Sequence, residues 1–261
     1  LSSAGKSKPP RSANPKVRLD ALVVARGLAE SESKAASLIM AGEVFSGQAR
    51  LTKPGELVKP DIPLEIKLRK GHAWVSRGGL KLAHGLKHFA VNVEKSVALD
   101  IGASTGGFTD VLLHNGAAKV YAVDVGYGEL AWKVQSDPRV VVMDRTNARH
   151  LTRELIAEPL NIIVCDASFT SLKQVLPAGM GLAAKGAMLI ALIKPQFEVP
   201  KHQVGEGGII TDAAVHEAVC RDIENFITGL QNWHVLGITA SPILGQEGNK
   251  EFLIAAKYDT E

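Results

Sequence analysis

From residue 96 onward the chain repeats one pattern. Short apolar runs alternate with segments whose apolar positions recur at three- and four-residue spacing, as expected of buried strands between amphipathic helices. The pattern predicts strands over 96–102, 119–125, 140–144, 161–166 and 187–194, with helices over 106–115, near 129–136, near 149–157 and near 171–184. Such alternation with short connections requires a parallel sheet covered by helices on both faces. A helix over 212–229 then precedes strands over 233–240 and 251–258, which read as an antiparallel hairpin around Leu244-Gly-Gln-Glu-Gly-Asn249.

The front of the chain is patterned differently. Leu1 to Lys16 is rich in Ser, Pro, Lys and Gly and cannot bury enough apolar surface to order itself. The absent initiator Met points to a processed, tagged or truncated start. From Val17, the positions Leu19, Leu22, Val23 and Arg26 share one helical face, and Gly27 stops the helix. Ser31 to Gly42 starts with a Ser cap and ends with glycine, which predicts a second helix. Glu43 to Ala49, a Lys53-Pro-Gly-Glu turn and Pro63 to Leu68 read as a small strand unit. The expected organisation is a tail over 1–16, a compact α+β module over 17–72, a connector over 73–78 and a large α/β domain over 79–261.

Composition narrows the class. With 46% hydrophobic and 22% charged residues, the chain is that of an ordinary globular protein. Its longest apolar stretch, Ala187 to Ile193, is far short of the ~18 residues that argue a membrane span. The start carries no secretory apolar region, and Cys165 and Cys220 lie in apolar segments, so a cytoplasmic protein with free thiols is expected. The net charge of +3 hides an asymmetry: residues 1–95 carry 17 Lys/Arg against 8 Asp/Glu (+9), and residues 96–261 carry 13 against 19 (−6). A basic front suits a polyanion, whereas an acidic body suits a ligand with positive charge.

The chemistry starts at Ser96 to Asp110, where an apolar strand breaks into Gly102-Ala103-Ser104-Thr105-Gly106-Gly107-Phe108 and opens a helix. Turns of this kind bring backbone N–H groups close to a ligand. The next strand ends in Asp124, 22 residues after Gly102, where a nucleotide's ribose hydroxyls would lie. The run is not the G-x-G-x-x-G of a dinucleotide fingerprint, and Asp100 beside it would repel a pyrophosphate. An acidic series of Asp100, Asp124, Asp144 and Asp166 at strand ends fits instead the sulfonium and ammonium of S-adenosylmethionine. The closing antiparallel hairpin agrees, being the Rossmann-like methyltransferase plan with seven strands. No Asn/Asp-Pro-Pro-aromatic motif for an amine acceptor follows Ile162 to Cys165, and the eight His show no metal-ligand spacing.

Two resemblances extend this reading. Residues 17–68 resemble an S4 RNA-binding domain, with the pattern R-L-D-x-L…S-R-x-x-A running from Arg18 and carrying Lys34 where that pattern has Arg. The resemblance implies RNA-facing roles for Arg18, Arg26, Lys34 and Lys53. Lys81, Asp166, Lys194 and Glu251 correspond in order and context to the K-D-K-E tetrad of FtsJ-like ribose 2′-O-methyltransferases. With the Ala73-Trp-Val-Ser-Arg-Gly-Gly-x-Lys connector and the glycine turn, residues 17–259 resemble the TlyA family of ribosomal RNA 2′-O-methyltransferases, also called haemolysins.

That family implies a methyl transfer from S-adenosylmethionine to a ribose 2′-OH, that of cytidine, on ribosomal RNA or a ribosomal subunit. It implies a cofactor site of Asp100, Gly102 to Phe108, Asp124, Val125, Asp144, Arg145 and Asp166. The weak nucleophile must lose its proton as it attacks. Lys194 is expected to take that proton, helped by the positive charge of Lys81, with Asp166 and Glu251 orienting the two lysines. No metal is required, because the leaving group is a neutral thioether. Three other readings compete: a base methyltransferase, which for cytosine C5 would use Cys165 as nucleophile; an RNA-binding factor with an idle methyltransferase fold; and a pore-forming haemolysin, for which no span or amphipathic barrel pattern is present.

Overall fold

The computed structural model describes residues 15–29, 31–40, 42–47, 49–66, 73–245 and 248–259. The chain divides into two compact units, Leu1–Gly71 and His72–Glu261. Residues 1–14 of the tail expected over 1–16, residues 67–72 of the module expected over 17–72, including the end of the strand expected to reach Leu68, and Gln246 and Glu247 of the hairpin loop lie outside the described residues.

The first unit opens with β1 (Val17–Arg18), followed by α1 (Leu19–Ala25) and α2 (Glu32–Met40). Short strands follow: β2 (Val44–Ser46), β3 (Ala49–Leu51), β4 (Leu57–Val58) and β5 (Glu65–Ile66). The helix expected from Val17 therefore starts two residues later, because Val17 and Arg18 pair antiparallel with Val58 and Leu57. Leu19, Leu22 and Val23 of α1 and Ala35 and Ile39 of α2 bury one shared stripe with Val44 and Val58. The helical spacing of these apolar positions is what closes this small core.

The second unit starts with α3 (Gly78–His88), β6 (Val97–Ile101), α4 (Gly107–His114) and β7 (Lys119–Val123). It continues through α5 (Trp132–Gln135), β8 (Val140–Met143), β9 (Leu160–Cys165), α6 (Leu172–Met180) and β10 (Ala183–Ile193). The short α7 (Pro195–Glu198), the long α8 (Ala213–Thr228), β11 (Trp233–Ala240) and β12 (Phe252–Tyr258) complete it. The strands form one seven-stranded sheet in the order β11-β12-β10-β9-β6-β7-β8. β12 runs antiparallel to both neighbours, and every other pairing is parallel.

Alternation sorts the strands' side chains. Leu99, Ile101, Ile163, Cys165, Leu189 and Ile193 pack on one face against Leu176 of α6 and Ile223 and Ile227 of α8. Ala98, Val164, Ile190 and Leu192 pack on the other against Leu82 of α3 and Val111 and Leu112 of α4. The central strands are largely apolar on both sides because both sides are covered.

Two expected helices differ. Near 149–157 there is only a 3₁₀ turn, Ala148–His150, begun by Asn147, whose side chain accepts the Arg149 N–H. Leu151 and Ile156 are buried without helical continuation, and Pro159 biases the residue before it to extended backbone. The helix expected to reach 184 stops at Met180, and β10 already begins at Ala183, which pairs with Leu160. The register then shifts before Met188, around Gly186 at φ +80. Pairing with β9 overrides the helix propensity of Ala183 and Ala184.

Candidate active site

Chain order in the sheet reverses between β6 and β9, since β6 leads outward to β7 and β8 while β9 leads the other way to β10. A crevice must open beyond the carboxyl ends of strands at such a point. Gly102 leaves β6 there and Asp166 leaves β9. Gly102 sits at φ +79, and a Cβ on it would lie 2.9 Å from the Cα of Ala167. A Cβ on Gly107 would lie 2.1 Å from Ser76 Oγ. These glycines thus answer to backbone packing of the turn against its neighbours, while the turn itself faces a cavity of about 430 Å³.

The cavity wall brings together most of the expected groups. Gly102, Ala103, Ser104, Thr105, Gly107 and Phe108 line it, as do all four tetrad residues, Lys81, Asp166, Lys194 and Glu251. The four charges form two close pairs. Lys194 Nζ lies 2.6 Å from Asp166 Oδ1, and Lys81 Nζ lies 2.6 Å from Glu251 Oε2. Both lysine side chains are at most 10% exposed, so neither ammonium has water in place of its partner. The positive field expected from Lys81 is therefore offset by Glu251 beside it. Lys194 also donates to Ser168 Oγ at 2.8 Å and to the Asp166 carbonyl at 3.2 Å. A Cβ on Gly245 would come within 2.5 Å of Glu251 Oε1, so the smallest residue there leaves room for the carboxylate.

The remaining expected cofactor residues are placed less directly. Asp100 is wholly buried on the α4 side of β6, where Oδ2 accepts the Thr109 hydroxyl at 2.6 Å. Burial pushes its carboxyl up to about 7, against the pull of the Thr109 hydrogen bond. It lies outside the cavity wall, held beneath α4 by the Thr109 hydroxyl. Asp124 reaches the turn from outside: Oδ2 accepts the Ser104 N–H and Oδ1 the Gly126 N–H, each at 2.8 Å. Asp144 accepts the Gly128 N–H at 2.9 Å, Arg145 lies over the Tyr127 ring at 4.2 Å, and Val125 is exposed. Asp124, Val125, Asp144 and Arg145 thus gather around the 124–128 loop rather than in the cavity wall. Gly106 opens α4 as its left-handed cap and packs against Leu130.

Several wall residues were absent from the sequence-based set: Ser76, Arg77, Ser168, Phe169, Gln196, Phe197, Ile243 and Leu244. Phe169 is 87% exposed and sits at φ +62, an uncommon conformation for a bulky residue. Its ring lies 5.0 Å from that of Phe197. A signal for it was available, since an Asp-Pro-Pro-aromatic motif also carries its ring three residues after the carboxylate. Asp166 keeps the ring and lacks only the prolines. Cys165, the nucleophile a C5 reaction would need, is fully buried and pushed up to about 12 by that burial. This removes the thiolate such chemistry requires.

In the first unit, Arg26 donates to the carbonyls of Ile62 and Pro60, each at 2.5 Å, so this expected RNA contact is occupied in holding a turn. Arg18 makes a two-point contact with Asp20. Lys34 and Lys53 are exposed.

A family model for FtsJ-like methyltransferases matches residues 74–258, and one for the S4 domain matches residues 17–61. The 16S/23S rRNA (cytidine-2′-O)-methyltransferase TlyA of Mycobacterium tuberculosis is 46% identical over 250 residues, covering 94% of this chain and 91% of that protein. Hemolysin A of Brachyspira hyodysenteriae is 38% identical, covering 91% of this chain and 98% of that one. A solved structure of a hemolysin-named protein from Streptococcus thermophilus superposes with a TM-score of 0.71 at 40% identity, over 95% of this chain and 90% of that chain.

Proposed function

The chain belongs to the FtsJ-like methyltransferase family, and from that premise we propose that it is a ribosomal RNA cytidine-2′-O-methyltransferase using S-adenosylmethionine. The observation that carries the reading is the convergence of Lys194–Asp166 and Lys81–Glu251 on one cavity bordered by the glycine turn. S-adenosylmethionine, when bound, supplies an electrophilic methyl group on a sulfonium. The residues fit such a group: the turn offers a backbone wall, Phe108 an apolar one, Asp166 a carboxylate at the rim, and Asp124 a carboxylate tied to the turn through Ser104.

The acceptor's 2′-OH is held by Lys194 Nζ, which Asp166 and Ser168 keep from swinging on its four-carbon stem. Lys194 can act as base only as the neutral amine, so its ammonium proton must first leave to solvent; Nζ then takes the hydroxyl proton as the 2′-oxygen accepts the methyl group, and the ammonium so re-formed is held by Asp166. Lys81, held by Glu251, supplies the second cation of the wall and steadies the negative charge growing on the oxygen. Phe169 offers a stacking face to a base beside the acceptor ribose. Arg77, exposed at the rim, is placed for a phosphate, and Lys34 and Lys53 of the first unit add sequence-independent affinity for RNA. A protein that modifies ribosomes would work in the cytoplasm, where Cys165 and Cys220 stay as free thiols.

The test is transfer of labelled methyl groups to unmethylated ribosomal subunits, followed by mapping of 2′-O-methylcytidine in 16S and 23S RNA. Label on cytidine ribose is expected. Label confined to bases, or tight RNA and cofactor binding with no transfer, would replace this reading with the base-methyltransferase or idle-fold alternative.

A further inference from the structure

Glu198, the last residue of α7, takes no part in the chemistry described above, yet its carboxyl is half-buried and makes no ion pair within 4 Å among the described residues, the nearby Lys173 being paired with Asp222 and attracting it only from farther off. Its Oε2 accepts the Ser171 hydroxyl at 2.5 Å and its Oε1 accepts the Leu172 N–H at 2.8 Å. Ser171 is the N-cap of α6, so a carboxylate from one helix closes the first turn of another. Burial holds this carboxyl above the usual range, and hydrogen bonds from Leu172 and Ser171 oppose that rise. An anion kept in such a place calls for a reason beyond stability.

The reason is visible in what lies between. Lys194 and Glu198 stand at the two ends of the α7 turn, and both reach across to the segment 166–172. Lys194 grips its front at Asp166 and Ser168, and Glu198 grips its back at Ser171 and Leu172. Between the grips, Phe169 is held at φ +62 with its ring against Phe197, which belongs to the same turn. A bulky side chain does not keep that backbone conformation unaided.

We propose that Glu198 is a positioning residue for the acceptor RNA: it clamps the 166–172 segment to α7 so that Phe169 is presented rigidly at the mouth of the cavity. The inference rests on the methyltransferase reading of that cavity. Glu198 touches neither RNA nor cofactor and acts through Phe169. Losing the clamp loosens the acceptor wall, and the cofactor wall formed by residues 102–108 is left as it was.

Steady-state methylation of ribosomal subunits by full-length Glu198→Ala, Phe169→Ala and the double variant tests this, with cofactor affinity measured by calorimetry. Glu198→Ala is expected to raise KM for the subunit by about tenfold with the cofactor Kd unchanged. Added to Phe169→Ala, it is expected to cost nothing further, as required of two residues acting as one unit. Glu198→Gln keeps an acceptor for the Leu172 N–H and is expected to recover much of the loss; if Glu198→Ala does not fold, Ser171→Ala, which removes the hydroxyl that Glu198 holds, takes its place in the cycle. Additive losses in the double variant, or a cofactor Kd that moves as far as KM, would overturn the clamp. Failure of the wild-type protein to methylate subunits would instead overturn the functional reading beneath it.

Discussion

Arg18–Asp20 in the small unit and Lys194–Asp166 in the large one are ion pairs of the same length, 2.6 Å. Their surroundings differ. The Arg18 side chain is 60% exposed and keeps water around most of its charge, whereas Lys194 is 8% exposed and has only protein acceptors. A pair of the first kind contributes little because water competes for the guanidinium, even though Asp20 is itself only 5% exposed. In the second, the ammonium needs its partner, since at 8% exposure it has little solvent to return to. Distance alone ranks the two pairs equal, and burial of the cation separates a local contact from a site.

The widest separation between them should come from activity. Lys194→Ala is expected to slow single-turnover methyl transfer by ~10²–10⁴-fold while sparing RNA and cofactor binding. Lys194→Arg should fail too, because a guanidinium does not release its proton near neutral pH. Rates near wild type for either variant would place the site's base elsewhere.

Stability gives the next contrast. Glu251→Ala strands the Lys81 ammonium in a nearly dry wall and should cost ~3–5 kcal/mol in denaturant titration. A cost under 1 kcal/mol would mean that water enters the site freely. Asp100 sharpens the same point through pH. Its carboxyl is held up to about 7 in the folded protein, against about 3.9 when unfolded. The folded state therefore holds the proton that the unfolded chain has lost, and stability from this group falls as pH rises from about 4 to 7, by on the order of 4 kcal/mol. Asp100→Asn should flatten that slope, and an unchanged slope would assign it to other groups.

Smaller effects are expected outside the cavity. Asp124→Ala should weaken S-adenosylmethionine binding by ~1.5–3 kcal/mol in calorimetry, if its carboxylate exchanges backbone donors for ribose hydroxyls. Arg18→Ala should leave folding stability close to wild type in denaturant titration, because the Arg18 charge is solvated and Asp20 keeps the Ala21 N–H as a donor. A large loss would make the two pairs alike after all.

Much of this was legible in the residues. Val97 to Ile101 and Leu160 to Cys165 read as buried strands because each is apolar on both sides, and Gly102 and Asp166 follow them at the break of pattern. Lys81, Asp166, Lys194 and Glu251 carried the site through their order and context. Phe169, an exposed aromatic, has no periodic signature and is marked only by its spacing from Asp166, and its conformation depends on Phe197 and α7. Arg26 looked like any basic residue on a helix face, and only the fold presents it with two carbonyls from a turn more than thirty residues away.

The order of apolar and polar positions was enough to determine an alternating α/β unit behind a small basic module, since periodicity is a property of neighbours along the chain. Which carboxylate meets which lysine, that Asp100 turns under α4 instead of into the cavity, and that Glu198 caps a helix in another segment were decided only by tertiary structure. Those facts depend on how strands far apart in sequence are ordered and which face each side chain takes. A hydrogen bond or an ion pair exists only when that ordering brings its two atoms within about 3 Å.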